Sequence, residues 1–207
     1  VPTHDCSTYL PDALGSVFDQ TLDLFELIVV DDGSTDATTE VLRRCGDARL
    51  RTVTQPRQGA AAARNRGVSM ARAPFLAFLD ADDLWHPDKL RAQCAALAVE
   101  PGLDMVFGHV EEFDDVTGEV RLAAPGYSSG TMMVRRPAFM SVGQFSVAWQ
   151  VGEFIDWYLR ATELGLTGDV LPEVVLLRRL HDSNSGRTAG DDRQEYLRII
   201  KNALNEA

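Results

Sequence analysis

Phe25-Glu26-Leu27-Ile28-Val29-Val30-Asp31-Asp32-Gly33-Ser34 decides the fold class. It is a short, mostly apolar, β-branched run that stops on a turn cluster. A parallel strand buried on both faces reads this way, because no solvent side imposes alternation. Ser34 or Thr35 then stands where a helix N-cap is needed. The spacing predicts a helix from about Asp36 to Cys45, ended by Gly46. The same alternation continues outward. Leu50-Arg51-Thr52-Val53-Thr54 reads as a second strand, and Gln58-Gly59 opens an Ala-rich helix to about Arg72, stopped by Pro74. Phe75-Leu76-Ala77-Phe78-Leu79 is another strand, ending at Asp80-Ala81-Asp82-Asp83. Pro87 at a helix N1 position starts a helix to about Val99, and Met105-Val106-Phe107 is a further strand. Strands alternating with helices at this spacing imply βαβ units, an α/β fold and a mostly parallel central sheet with helices on both faces.

Residues 111–207 are less regular. Glu111 to Val120 reads as a hairpin or loop around Thr117-Gly118, Gly130 to Val134 as a short strand, and Phe154 to Leu164 as a helix. Val174 to Leu177 is strand-like, Asn184 to Gly190 is a loop by composition, and Gln194 to Leu204 is a terminal helix. There is no internal repeat and no linker long enough to separate independent domains, so residues 1–207 are expected to form one domain in two halves, 1–110 and 111–207.

The chain has 207 residues, of which 45% are hydrophobic and 25% charged. Those shares suit a globular protein and exclude disorder, collagen and coiled coil as descriptions of the whole. With 31 acidic and 20 basic residues the net charge is −11. Such a surface repels phosphate backbones and anionic lipid, so nucleic acid is not an expected partner. A small anionic ligand would need a local device such as a cation or an Arg. Cys6, Cys45 and Cys94 are too few, and odd in number, for a disulfide framework, and read as reduced thiols of a cytoplasmic protein. No stretch approaches the length of a transmembrane helix, and no signal peptide is visible. The start at Val1-Pro2-Thr3 reads as trimmed, with part of a first strand missing.

Two acidic clusters, Asp31-Asp32 and Asp80-Ala81-Asp82-Asp83, each follow an apolar strand directly. The carboxyl ends of parallel strands are where α/β sheets bind ligands. Carboxylates packed together repel, and Mg²⁺ or Mn²⁺, which favour oxygen ligands and substrate phosphates, compensate. Asp also favours turns and helix starts for structural reasons, and for one cluster alone that explanation would suffice. Two clusters favour a site.

Val29-Val30-Asp31-Asp32-Gly33-Ser34-Thr35-Asp36, then Gly59 with Ala63-Arg64-Asn65-Arg66-Gly67, then Phe78-Leu79-Asp80-Ala81-Asp82-Asp83, resemble the family 2 glycosyltransferases, whose nucleotide-sugar-binding fold is called GT-A. Each element alone is weak, but three in order on the right secondary structure are strong. Pro87-Asp88-Lys89-Leu90, Arg135-Arg136, Val142-Gly143-Gln144-Phe145 and Asp156-Trp157-Tyr158-Leu159-Arg160 extend the resemblance over nearly the whole chain. It implies transfer from a nucleotide-diphosphate sugar, UDP first, to an unknown glycan, lipid-linked or small-molecule acceptor, with inversion. The half 1–110 would bind the nucleotide sugar and 111–207 the acceptor. Pro2, Thr3, Asp31, Asp32, Arg64, Asp80 and Ala81 would line the nucleotide, with Asn65 supporting the site and His4 near the pocket. Asp82 would ligate the divalent metal.

Inverting members carry a Glu-Asp pair ahead of a helix, and its Asp deprotonates the acceptor. The matching stretch here is Gly152-Glu153-Phe154-Ile155-Asp156, with Phe154 in the Asp position. Glu153 and Asp156, three apart, share a helical face, and either is a candidate base; Asp156 also stands four before Arg160, the spacing of an ion pair. An impaired or inactive protein is the third possibility. In several members a His at the place of His181 completes the metal site, the alternative being a surface His. Arg178, Arg179 and Arg187 surround it, and one of them is a candidate to grip the diphosphate. Trp157 is the candidate for stacking on an acceptor sugar, against core packing as the commoner use of Trp. Two rival classes remain: a nucleotide-sugar-binding module without turnover, and another Mg²⁺-dependent enzyme such as a nucleotidyltransferase or phosphatase. The second lacks both a Gly-rich phosphate loop and a well-placed nucleophilic Asp.

Overall fold

The computed structural model describes residues 1–149, 151–181 and 199. The first part runs β1 (Pro2–Thr3), α1 (Leu10–Phe18), β2 (Leu27–Asp31), α2 (Thr38–Arg44), β3 (Leu50–Thr54) and α3 (Ala60–Met70). Strands β1, β2 and β3 form a parallel sheet in that order, Pro2 opposite Val30 and Leu27 opposite Leu50. Every residue of β2 is buried. Leu27 and Val29 pack with Leu10, Leu14 and Val17 of α1, while Ile28 and Val30 pack with Ala63 of α3. Helices therefore cover both faces, which is why the strand reads as a continuous apolar run.

The chain continues through β4 (Phe75–Ala77), β5 (Leu84–Trp85), α4 (Lys89–Val99), β6 (Met105–Asp114), β7 (Val120–Gly126), β8 (Met133–Arg135), α5 (Arg136–Val142), α6 (Glu153–Glu163) and β9 (Gly168–Leu180). Its sheet has the order β4-β8-β6-β9-β5, with β7 added on β6. Here β6 and β9 are parallel and the other pairs antiparallel. The parallel ladder expected for the sheet is thus concentrated in β1–β3 and β6/β9. Only β6 and β7 are joined by a short turn, which makes them an antiparallel hairpin; β4 with β8 and β5 with β9 pair antiparallel across long stretches of chain. Val106, Met133 and Val175 face the core under α1 and α4, while Met105, Phe107 and Val134 pack against Phe139, Phe154 and Trp157 of α5 and α6.

Boundaries shift for identifiable reasons. Asp36, rather than Ser34 or Thr35, accepts the Thr38 N–H at the start of α2, at 2.8 Å. Helix α4 begins at Lys89, so Pro87 stands before it rather than at N1. The hairpin is real, turning at Gly118 with φ 70°. Strands β6 and β9 are far longer than their apolar cores, because their outer parts are polar and half-exposed. Between Phe107 and Val110 their register slips opposite Leu171-Pro172-Glu173, and a bulge is where a strand tolerates Pro. The expected loop Asn184 to Gly190 and, apart from Ile199, the expected helix Gln194 to Leu204 lie outside the described residues.

Candidate functional site

The two acidic turns leave the carboxyl ends of β2 and β4, and the structure treats them differently. Asp31 and Asp32 are buried. Asp31 accepts from Ser34 N–H and from the Thr39 hydroxyl, both at 2.9 Å. Asp32 accepts from Gln55 Nε2 at 2.8 Å, Gln58 N–H at 2.9 Å and Gly59 N–H at 2.7 Å. These carboxylates lace the loops after β2 and β3 to the start of α3. Gly59 opens that helix at φ 91°, a conformation that favours glycine. Beside them β1 places Pro2 and Thr3 against Val30 and Asp31, and the Thr3 hydroxyl is buried with no partner among the described residues. The neighbouring β1–α1 loop is tied on by Asp5, which accepts from Thr35 N–H at 2.6 Å. A cavity of about 460 Å³ lined by Gln55, Gln58, Asn65, Arg66 and Gln144 among others includes none of the acidic residues of the second turn.

At the second turn the side chains of Asp80 and Asp82 are 41% and 28% exposed. Arg64 reaches this turn from α3. Its guanidinium is buried and forked, with NH2 donating to Asp80 Oδ1 and NH1 to Glu153 Oε1. Burial opposes the charge on Arg64, but Asp80 and Glu153 outweigh it and raise the Arg64 pKa. One side chain thus joins α3 and the second acidic turn to the first residue of α6. Gly152, in the left-handed region at φ 84°, sets the entry to that helix. Ala81 is buried between the two exposed carboxylates. Asn65 sits one residue beyond Arg64, where its amide clamps Phe145 by two hydrogen bonds and so fixes α3 against the second half.

His181 follows β9 and comes to the same turn. Its Nε2 lies 3.1 Å from Asp82 Oδ2, and its ring stacks on Tyr9 with centroids 4.6 Å apart. Sequence reading brought Asp82 and His181 together as metal ligands, and the fold makes them neighbours. The carboxylate suits Mn²⁺ or Mg²⁺, and the imidazole beside it favours Mn²⁺ of the two; either ion would take remaining ligands from water and substrate phosphate. No group of three or more His, Cys, Asp or Glu able to hold a metal occurs among the described residues.

Asp83 and Arg179 had no assigned or a different role in the sequence reading. Asp83 is buried and accepts the Arg179 N–H at 2.9 Å. Burial and the neighbouring charges of Asp80 and Asp82 push its carboxyl well above the usual range. The Arg179 guanidinium donates to the Asp82 carbonyl, to Asp115 and to Asp12, and lies over the rings of Tyr9 and Phe113. It pins the turn to the end of β9 instead of waiting for a diphosphate. Arg178 pairs with Glu112, and Arg187 lies outside the described residues. Nothing in the local sequence marks Arg179 as the pin, because Asp12 and Asp115 are distant in the chain.

On α6, Asp156 is committed to Arg160 at 2.8 Å and to Trp149 Nε1 at 3.1 Å. Phe154 faces inward, its ring nearly parallel to that of Tyr158. Trp157 is fully buried, stacked on Phe139, and donates to the Gly143 carbonyl. That corrects its assignment as an acceptor platform: the helix face carrying it is the core face.

Comparison with known proteins gives the site a setting. The family description "Glycosyl transferase family 2" matches residues 1–151. The protein EpsH of Bacillus subtilis (strain 168) is 34% identical over 117 residues, which are 56% of this chain and 34% of EpsH. Staphylococcus aureus TarS 1-349, solved in complex with UDP, superposes with a TM-score of 0.76 at 20% identity, covering 100% of this chain and 64% of that one. The mannosyltransferase PcManGT from Pyrobaculum calidifontis, in complex with GDP-Man and Mn²⁺, gives 0.79 at 20% identity, covering 100% and 63%. The fold is the GT-A type, and the chain spans about a third of EpsH and under two thirds of the two solved chains.

Proposed function

This chain belongs to glycosyl transferase family 2, and from that premise we propose that it moves a sugar from a nucleoside-diphosphate sugar, UDP-linked in the first instance, to an acceptor hydroxyl with inversion. The observation that carries the reading is Arg64, which holds Asp80 and Glu153 at one rim. Donor and acceptor chemistry are thereby brought within a few ångströms across the two halves of the chain.

The loops laced by Asp31 and Asp32 would seat the nucleoside, with Pro2, Thr3 and Ala81 as neighbouring walls. Asp82 and His181 would hold a Mn²⁺ or Mg²⁺ ion, which would supply counter-charge for the departing diphosphate. Glu153 is the base. Arg64 engages Oε1, so Oε2 takes the acceptor proton as the hydroxyl oxygen bonds to the anomeric carbon. The nucleoside diphosphate leaves from the opposite face, and the configuration inverts. Asp156 is left to fold α6 through Arg160. Three unbridged cysteines suit the cytoplasm, and no described helix is long and apolar enough to cross a membrane.

Phe154 favours a second reading, a module that binds nucleotide sugars without turnover. One experiment separates them. UDP-sugars and GDP-mannose are incubated with Mn²⁺ and a panel of simple glycosides, and donor loss and the anomeric configuration of the product are followed by NMR. Inverted product supports transfer. Nucleotide binding with neither transfer nor hydrolysis selects the binding module, and no nucleotide binding removes both.

A further inference from the structure

Among the described residues, Tyr127 is the exposed large aromatic. It is 56% exposed, yet its ring is held, 5.1 Å from Phe107 and 5.9 Å from Tyr158. Tyr158 lies 5.7 Å from Phe107 and 5.9 Å from Phe154, the latter pair nearly parallel at 18°. Phe107 and Phe154 are buried. Four rings thus form a cluster of two buried and two outer members, with Phe154 and Tyr158 near-parallel, the other pairs tilted or edge-on, and Tyr127 as its exposed member.

Its place follows from register. Ala77 of β4 pairs antiparallel with Met133 of β8. The turn Ser128–Met132 leading into β8 therefore lies beside the chain leaving β4 toward Asp80 and Asp82. That turn is rigid, since the Thr131 hydroxyl donates to the Gly126 carbonyl at 2.7 Å and accepts from Ser128 N–H at 3.2 Å. On the other side, Tyr158 and Phe154 belong to the helix that Glu153 opens. Tyr158 lies five positions along α6 from Glu153, a rise of about 7–8 Å and a rotation of about 140° around the axis; Phe154, next to Glu153 in the chain and near-parallel to Tyr158, is what links the rings to Glu153.

We propose that Tyr127, backed by Tyr158, is an acceptor-sugar platform: a neutral pyranose ring stacks on it and delivers its hydroxyl to Glu153. This rests on the transferase reading and names its acceptor class. A fixed aromatic face offers a sugar's C–H surface an apolar contact at low entropic cost. The rings themselves carry no charge, so the platform favours the neutral C–H face of a sugar over a charged group. A single rigid ring is also a poor seat for an alkyl chain, which gains from extended apolar area. The substitution of Phe154 for the family's carboxylate fits the same account, because it supplies a buried member of the cluster.

The test uses methyl hexosides as acceptors, 1-octanol as the lipid-like control, and wild type, Tyr127→Ala, Tyr127→Gln and Tyr127→Phe. The expected result is an acceptor KM raised about tenfold in the Ala and Gln variants, a KM within about twofold of wild type in the Phe variant, and unchanged UDP affinity by calorimetry. An unchanged acceptor KM in both ring-less variants overturns the platform, as does a preference for octanol or a matching loss of UDP affinity. If wild type turns over no donor, the transferase reading fails, and saturation-transfer NMR on UDP-loaded protein decides the platform alone. Methyl hexoside signals present in wild type and lost in Tyr127→Ala support it, and their absence in wild type overturns it.

Discussion

At the end of β2, Asp31 and Asp32 are 1% and 4% exposed, and each carboxylate oxygen accepts from a protein donor. At the end of β4, Asp80 and Asp82 are partly open to solvent and face Arg64 and His181. The two turns look alike in sequence: apolar strand, then acidic pair. Their surroundings separate them. The first turn spends its charge on backbone N–H groups and on the Thr39 and Gln55 side chains, tying the loops after β2 and β3 to the start of α3. The second meets side chains that a ligand can share. A buried acceptor saturated by amides is architecture, whereas an exposed carboxylate beside a cation and an imidazole is available for chemistry.

The largest expected effect lies beside the second turn. Glu153→Gln should lower turnover by roughly 10²–10⁴ in steady-state assays while UDP affinity holds. Asp156→Asn should lose less than a tenth as much turnover, because its partners are Arg160 and Trp149. A reversal, with Asp156→Asn the more damaging in a folded protein, would move the base and break the Arg64 link between the halves.

The first turn should answer in stability. Asp32→Asn puts an amide N–H where three donors converge, leaving buried groups unsatisfied at a cost of about 1.5–3 kcal/mol. Calorimetric Tm should fall, at about 2–4 °C per kcal/mol for a chain of this size. Asp80→Asn, on the solvent side, should fall less. If Asp32→Asn kept its Tm but lost uridine binding, the first turn would be a direct nucleoside contact and the distinction would collapse.

A smaller effect separates burial from carboxylate chemistry. Lys89, at the start of α4, is fully buried and donates to Gln93 and the Thr131 carbonyl. Desolvation lowers its pKa to about 7. The folded state therefore sheds a proton that the unfolded chain keeps up to about 10. Stability should rise as pH climbs from about 7 toward 10, with the unfolded state binding more protons in that window. Urea melts across this range should show the slope in wild type and lose it in Lys89→Met.

Much of the first half, residues 1–110, was legible because its signals are local. A continuous apolar run followed by Asp-Asp-Gly-Ser encodes a buried strand and its turn within ten residues, and Leu50–Thr54 matches β3 residue for residue. The second half was legible only in its apolar kernels. The outer turns of β6 and β9 carry charges such as Glu111, Glu112 and Arg178, which read as loop until the pairing is known. At the site, the meeting of Asp82 with His181 was expected from resemblance. The pin at Arg179 and the fork of Arg64 were not, because each joins residues far apart in the chain. Trp157 misled for a related reason: position beside Glu153 does not say which face of α6 a side chain occupies.

The second turn, and not the first, is expected to meet the diphosphate through a divalent ion. Calorimetric titration of UDP into wild type and Asp82→Ala, each with and without Mn²⁺, tests it most directly. The predicted result is UDP affinity raised at least tenfold by Mn²⁺ in wild type, with that gain absent in Asp82→Ala and present in Asp31→Asn. Equal UDP affinity in wild type with and without Mn²⁺, or a gain that survives Asp82→Ala, would contradict it.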